Sequence, residues 1–438
     1  MTTNVEMRSN IKRNRILYII ATALRGTALL CATGTLMQTL LHTLGFTKIL
    51  TFNILFFKIE LDQNALHTTL LQFANVFTIF LCSRWADKGN IFKRCGGMLI
   101  LNGLLFLCFI PACIANNASW YSYVLLLGVG IMQQITVGLC TVCEYKIPYF
   151  IYKPDDYGVI ASIGGIISAI IQVGVGALIA FLEKYFDYAL IMIFAFAASA
   201  VFAVLAGVCH LLYKSIIDME TVQQMNKEKG QEKTVSFKEV FFHPVFIKLL
   251  PANLFRGFAN GTTMILAIMA LEIGFYESDT TAMAPVQSLA TFIGCMLFGM
   301  ITTKISPRIS AFLGSILLCA GFPLIFWGHI EIPIMFFGNV KLLYISIALI
   351  LFGRTFVDYA VPSVLIKAVP VEIAGTYNAW RMLLHQGGTL IATTIMTLRL
   401  VSIEVLVILT ILFTIYSGFC FLLSKELREV SPAIIKRQ

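Results

Sequence analysis

Apolar residues run along this chain in stretches of about twenty, each closed by a short polar or charged segment, and a helix that crosses the hydrocarbon layer of a bilayer needs about that length. Twelve such stretches predict spans over residues 16–42, 67–82, 95–114, 121–151, 158–182, 188–213, 245–273, 285–303, 309–327, 342–366, 377–397 and 403–423. The predicted fold class is an all-α membrane protein. The longest polar run, 214–243, contains Lys227, Glu228, Lys229 and Lys233 and divides the spans six and six. It predicts three parts: a six-helix bundle over 1–213, a cytoplasmic linker over 214–243 and a second six-helix bundle over 244–438.

Composition strengthens this picture. Of the 438 residues, 58% are hydrophobic and 13% charged, with a mean hydropathy of +0.85. A soluble domain carries about a quarter charged residues, so an ordinary soluble enzyme, a nucleic-acid binder and a disordered scaffold are excluded. Lys and Arg collect in cytoplasmic loops. With the N-terminus inside, 21 of them fall in cytoplasmic segments and 5 outside, which predicts a multi-pass protein of the plasma (inner) membrane with both termini cytoplasmic. The net charge of +9 is then a topogenic bias rather than a nucleic-acid footprint. The basic start runs into a full-length span without a small-residue cleavage site, so no cleavable signal peptide is expected. Most of the eleven cysteines lie singly in apolar stretches, and Cys140 and Cys143 form a C-x-x-C inside a span with no second pair. They are expected to be ordinary buried thiols, with no metal and no cofactor.

The two halves repeat each other. Span 1 carries Arg25-Gly26-Thr27-Ala28 and span 7 carries Arg256-Gly257-Phe258-Ala259. Span 4 carries Glu144-Tyr145-Lys146-Ile147-Pro148 with Lys153 five residues on, and span 10 carries Asp358-Tyr359-Ala360-Val361-Pro362 with Lys367 five residues on. Gln72 matches Gln287, and Gly158 opening span 5 matches Gly375 opening span 11. Six crossings return the chain to its starting side, so the two halves form a parallel repeat.

With its six-plus-six layout, long mid-loop and a basic loop between spans 2 and 3 reading Ser83-Arg84-Trp85-Ala86-Asp87-Lys88-Gly89 and closing on Lys93-Arg94, the chain resembles the major facilitator superfamily over essentially its whole length. The loop is similar to that family's G-x-L-A-D-R-x-G-R-[KR] signature, with Ser83 for the first glycine, Trp85 for leucine and one extra residue before the basic pair. The resemblance implies two parallel-repeat bundles, a central path lined by helices 1, 4, 7 and 10, and a gating role for Asp87 as a cytoplasmic latch; the alternative for this loop is that its charges only set topology. The glycine-proline signature of multidrug antiporters is missing from span 5, where Gly164, Gly165, Gly174 and Gly176 have no proline between them.

Ionisable groups at membrane depth are costly unless paired or wet. Glu144 and Asp358 are the two acids well inside predicted spans, at matching places in the repeat. At about 1.5 Å of rise per residue, Arg25, Glu144, Arg256 and Asp358 all lie some 14–18 Å from the cytoplasmic boundary. Arg25 is therefore expected beside Glu144, and Arg256 beside Asp358, facing a water-filled cavity; locking helix pairs together is the alternative role. Arg354 shares a face with Asp358, Gln133 lies on the stripe of Glu144, and Asn260 follows Arg256 by one turn. Arg381 and His385 lie one turn apart in span 11, where His385 suits either packing or a proton relay.

Five deep cations (Arg25, Lys146, Arg256, Arg354, Arg381) against two acids make a cationic path that suits an anion, because guanidinium matches carboxylate and phosphate bidentately. The arginines of spans 1 and 7 are similar in placement to those of organophosphate exchangers in the superfamily. The expected function is secondary transport of a small polar, anionic metabolite such as a sugar acid or other carbohydrate derivative, by alternating access in a monomer, with a proton as coupling ion. Arg25, Arg256, Gln133, Asn260 and Arg354 would bind substrate, and Glu144 and Asp358 would couple. An anion exchanger and a non-transporting membrane sensor stand as alternatives. An enzyme is not expected, since no span carries a nucleophile and base or a metal-ligand spacing, and no P-loop is present. The first outer loop is about 14 residues longer than its counterpart; its apolar part, 49–61, predicts an interfacial segment or a lid.

Overall fold

The structure, a computed structural model, describes the chain apart from residues 1–3, 33–34, 47–48, 55–56, 83–84, 86–89, 116, 118, 145, 152–156, 217–241, 243, 302–305, 335–337, 369–370 and 425–438. Asp87 and most of the linker thus lie outside the described residues. Span 1 comprises Asn4–Ala32 and Thr35–Thr43; span 2, Gln63–Cys82; span 3, Ile91–Leu107 and Ile110–Ala115; span 4, Trp120–Glu144; span 5, Tyr157–Leu182; span 6, Tyr188–Leu211. Span 7 comprises Pro244–Met264 and Leu266–Ile273; span 8, Glu277–Ile301; span 9, Pro307–Gly321 extended by a 3₁₀ turn Phe322–Trp327; span 10, Leu342–Ala368; span 11, Val371–Thr397; span 12, Ile403–Leu423. Ten of the described helices are long and apolar enough to cross a membrane, and the two pieces of span 7, bent by 51°, make an eleventh. Span 11 has 27 residues, but Arg381, His385 and Gln386 dilute its apolar character.

Span 7 is bent by 51° at Ile265, nine residues beyond Arg256. The repeat extends to the backbone. Spans 1 and 7 both end on a left-handed glycine, Gly45 (φ 86°) and Gly274 (φ 103°). The following N–H reaches back to close the last turn, Phe46 to the Leu41 carbonyl at 2.9 Å and Phe275 to the Ala270 carbonyl at 3.0 Å, which satisfies carbonyls the helix would otherwise leave open. Phe46 and Phe275 are both buried.

Glycines set how closely the helices approach. Gly26 lies against Ser168 and Gln172 of span 5, and Gly257 lies against the His385 backbone of span 11 while the Thr389 hydroxyl donates to its carbonyl at 2.9 Å. Counted from Gly158 and Gly375, Ser168 and His385 occupy the same position, as do Gln172 and Thr389. The two bundles therefore seat span 1 on span 5 and span 7 on span 11 in the same way. In the first half Gly96 and Gly207 pack backbone to backbone, each Cα facing the other's carbonyl, and draw span 3 onto span 6. The halves meet along spans 5 and 8 and along spans 2 and 11.

One sequence expectation changes here and a second takes a definite form. Span 4 was expected to run to residue 151, but its helix ends at Glu144; Pro148 has no N–H and its ring clashes with the carbonyl four residues back, which is that of Glu144. A separate turn, Pro148–Ile151, follows, held by Asn14, whose amide donates to the Ile151 carbonyl at 3.2 Å and the Lys214 carbonyl at 2.6 Å. The equivalent Pro362 leaves span 10 continuous; nothing in the structure explains that difference. The apolar outer stretch, expected only as an interfacial segment or a lid, takes the form of a two-stranded antiparallel hairpin, β1 Ile49–Ile54 against β2 Phe57–Asp62, with Ile49 opposite Asp62. Its β-branched and aromatic residues favour strand. A second hairpin, β3 Glu331–Ile334 with β4 Gly338–Lys341, precedes span 10, and Lys341 binds Asp279 at 2.6 Å.

On the predicted outer side the halves are pinned together. His42 Nδ1 lies 2.5 Å from Glu277, the Thr39 and Thr280 hydroxyls 3.1 Å apart, and the Thr69 and Thr397 hydroxyls 2.7 Å apart. Arg399 bridges Glu272 at 2.6 Å and Asp62 at 3.7 Å. Gln72 of span 2 reaches the Met264 sulfur at 3.4 Å and Gln287 of span 8 donates to Thr35 at 3.0 Å, so the repeat-related glutamines each cross to the first helix of the other half.

Two predictions follow from this packing. Gly257→Ala drives a methyl into the His385 carbonyl, so its melting temperature in detergent should fall, with overpacking costing about 1–3 kcal/mol; Gly97→Ala, with nothing within 4 Å of the added carbon, should leave it unchanged or raise it. Glu183, just beyond span 5, is raised above the ordinary carboxylate range by burial and by Glu277, against a hydrogen bond from Thr281. A raised folded-state value stabilises the protonated form, so Glu183's contribution is present at acid pH and is lost as pH rises. Glu183→Gln should therefore remove that loss, so the variant's melting temperature should gain on the wild type's as pH goes from acid to neutral.

Candidate functional site

Each predicted acid meets its arginine. The Arg25 guanidinium donates to Glu144 Oε2, and Arg256 donates to Asp358 Oδ1. Asp358 takes a second cation, Arg354 Nε at 3.2 Å to Oδ2, from one turn earlier on the same helix. The Glu144 and Asp358 side chains keep 24% and 34% of their exposure, which leaves room for an arginine to change partner.

Three neighbouring cavities lie beside these pairs. The largest, about 420 Å³, is lined by Arg25, Glu144, Ser168, Gln172 and His210 from the first half and by Thr291 and Tyr359 from the second. A neighbouring one of about 270 Å³ shares Gly26, Leu29 and Gln172 with it and continues to Gln287, Thr263 and Arg354. A third, of about 20 Å³, shares Thr263 and Arg354 and holds Arg256, Asn260, Asp358 and His385. Arg25 and Glu144 thus line a cavity between the bundles, Arg256 and Asp358 line a small one within the second bundle, and Arg354 borders both that one and the intervening cavity. Three guanidinium groups face two carboxylates.

Other expected residues lie elsewhere. Asn260 lines the small cavity and donates to Thr389 at 3.2 Å, with its carbonyl oxygen unpaired. Gln133 is fully buried, makes no side-chain hydrogen bond among the described residues, and is absent from the linings of these three cavities. Arg381 is buried against Asn378 and Met382, and Lys146 sits in the turn after span 4.

Sequence reasoning did not place Ser168, Gln172, Thr291 or Tyr359 at the cavity. Gln172 offered a signal, as the one amide in an otherwise apolar span 5. Tyr359 offered another through its position beside Asp358, and its hydroxyl crosses the interface to rest against Gly165. The structure also gathers Cys95, Glu144 and His210, whose ligand atoms lie within 4.8 Å of one another. They come from spans 3, 4 and 6, far apart in the chain.

This arrangement can hold an anion between guanidinium groups and can exchange the arginine partners of two carboxylates.

No curated protein matches the chain in sequence. Among solved structures, it is similar to a bacterial homologue of the iron transporter ferroportin in its outward-facing state, at a TM-score of 0.63 and 12% identity over 94% of this chain and 98% of that one. It is similar also to the human organic anion transporter MFSD10 (TETRAN), at a TM-score of 0.63 and 13% identity over 94% and 99% of the two chains. Identities this low speak to the fold alone. The family model of the Major Facilitator Superfamily matches residues 9–393, and with the duplicated six-helix bundles and the central cavity this makes the chain a multi-pass membrane transporter of the major facilitator superfamily.

Proposed function

We propose that the chain is a proton-coupled secondary transporter that carries a small, polar, anionic metabolite, a sugar acid or related carbohydrate derivative, through the plasma membrane by alternating access. The observation that carries this reading is the excess of guanidinium over carboxylate among the charged residues lining the cavities, Arg25, Arg256 and Arg354 against Glu144 and Asp358. An anion entering between the halves would share these arginines with the carboxylates. The same excess disfavours a bare cation as cargo, so the likeness to an iron-transporter homologue supports the fold and not the substrate, whereas the likeness to an organic anion transporter agrees with the charge.

Proton coupling follows from partner exchange. A carboxylate held by arginine stays ionised; when substrate takes the arginine, the carboxylate loses its counter-charge and binds a proton more readily. Glu144 and Asp358 are the groups placed for this role. Gln72 and Gln287, which cross between the halves beside the cavity, are placed to part as the outer side opens, and Asp87 on the opposite side is the proposed cytoplasmic latch.

A thermal-shift panel of sugars, sugar acids, phosphates and carboxylates should identify an anion that raises the melting temperature. In proteoliposomes that anion should accumulate under an inward proton gradient. Glu144→Gln or Asp358→Asn should keep counterflow and lose accumulation, and Arg25→Lys or Arg256→Lys should lose both. Accumulation that survives in both acid variants would overturn proton coupling and leave exchange; a panel in which neutral sugars bind and anions do not would overturn the substrate class.

A further inference from the structure

The buried cluster behind Glu144 has donor chemistry that an anion path does not use. Cys95 on span 3 and His210 on span 6 are both buried, and their ligand atoms lie within 4.8 Å of each other and of the Glu144 carboxylate. Backbone contact between Gly96 and Gly207, next to Cys95 and one turn from His210, fixes the two helices at this spacing. Cys140, one turn before Glu144, donates its thiol to the Cys95 backbone carbonyl at 3.8 Å, which puts a second thiol at the same edge.

The orientation of His210 is set in a way that suits a ligand. Its Nδ1 is 2.9 Å from the Ala206 carbonyl. A carbonyl only accepts, so Nδ1 carries the proton and Nε2 keeps its lone pair. Metal-bound histidines are typically held like this, with the distal ring nitrogen donating to a carbonyl or carboxylate. The ring borders the same cavity as Glu144, which supplies an aqueous approach.

We infer that Cys95 Sγ, His210 Nε2 and Glu144, with Cys140 beside them, form a binding site for one soft divalent cation of the zinc class. Sulfur, imidazole and carboxylate together select such ions over magnesium or calcium. A tetrahedral site with bonds of about 2.0–2.3 Å needs ligand atoms closer than they now stand, and side-chain rotation supplies that movement without moving the glycine-locked helices. The charges balance: the ion enters as +2 and the Cys95 and Cys140 thiols release two protons to the cavity water, so the buried charge is unchanged. Arg25 competes with the ion for Glu144. Occupancy therefore withdraws Glu144 from its arginine, and the site is a place where a trace metal holds the transporter, independent of what the transporter carries.

Cobalt(II), added to the purified full-length protein in reducing, chelator-free buffer, tests this directly. One ion per chain should bind, with a thiolate-to-cobalt charge-transfer band in the near ultraviolet, and zinc should displace it. Cys95→Ser should abolish the charge-transfer band or weaken binding at least tenfold, as should His210→Gln, while Cys113→Ser, a buried thiol outside the cluster, should bind as wild type. Arg25→Gln should bind cobalt more tightly, a gain that misfolding cannot produce. Absence of the thiolate band in wild-type protein, or a band unchanged in both Cys95→Ser and His210→Gln, would overturn the site.

Discussion

An arginine or an acid alone in the hydrocarbon layer costs about 3 kcal/mol or more, and each half of this chain carries one of each on its spans, Arg25 with Glu144 at the end of span 4 and Arg256 with Asp358 inside span 10. Each half answers that cost in the same way, by pairing the arginine of its first helix with the carboxylate of its fourth. The pairs then dictate much else. They need glycines next to the arginines so that spans 1 and 7 can press against spans 5 and 11, and they need water, which the cavities between the halves provide. Buried ion pairs are weak stabilisers because desolvation offsets their attraction. Their retention in both halves is better understood as serving exchange of partners than as holding the fold.

The halves are alike in their frame and unlike in their chemistry. The left-handed glycines Gly45 and Gly274 and the crossing contacts of Gln72 and Gln287 obey the repeat. Glu144, however, ends its helix before Pro148 and has one arginine, whereas Asp358 lies within a continuous helix and has two. Where the first half has Ser168 against its glycine, the second has His385, whose Nδ1 is buried without a partner near Arg256 and Arg354. The first half has its histidine instead at span 6, beside cysteines.

Much of this was legible in the sequence. Hydrophobic length gives the helices, and the internal match of Arg25-Gly26 with Arg256-Gly257 gives both the repeat and the ion pairs, because a buried charge must find its opposite. Contacts that depend on helix rotation were not legible: Gln133 shares a stripe with Glu144 on an ideal helix yet lies sealed in the bundle, and Gln172 and Thr291 reach the cavity from helices outside the expected four. The end of span 4 was legible in principle, since Pro148 stands four residues after Glu144, but the same spacing in span 10 leaves a continuous helix. The hairpin at 49–62 was masked by its apolar composition, which suits a membrane surface as well as a strand. The meeting of Cys95 with His210 rests on a pair of glycines more than a hundred residues apart, and no local pattern announces it.

The central claim is that one anion is held between arginines of the two halves. Equilibrium binding of the best anion from the thermal-shift panel to Arg25→Gln and to Arg354→Gln, each verified as folded, tests it most directly. Both variants should lose at least tenfold in affinity, because the ligand touches both walls; an affinity unchanged in either would mean that the anion rests in one half alone, and the account would fail.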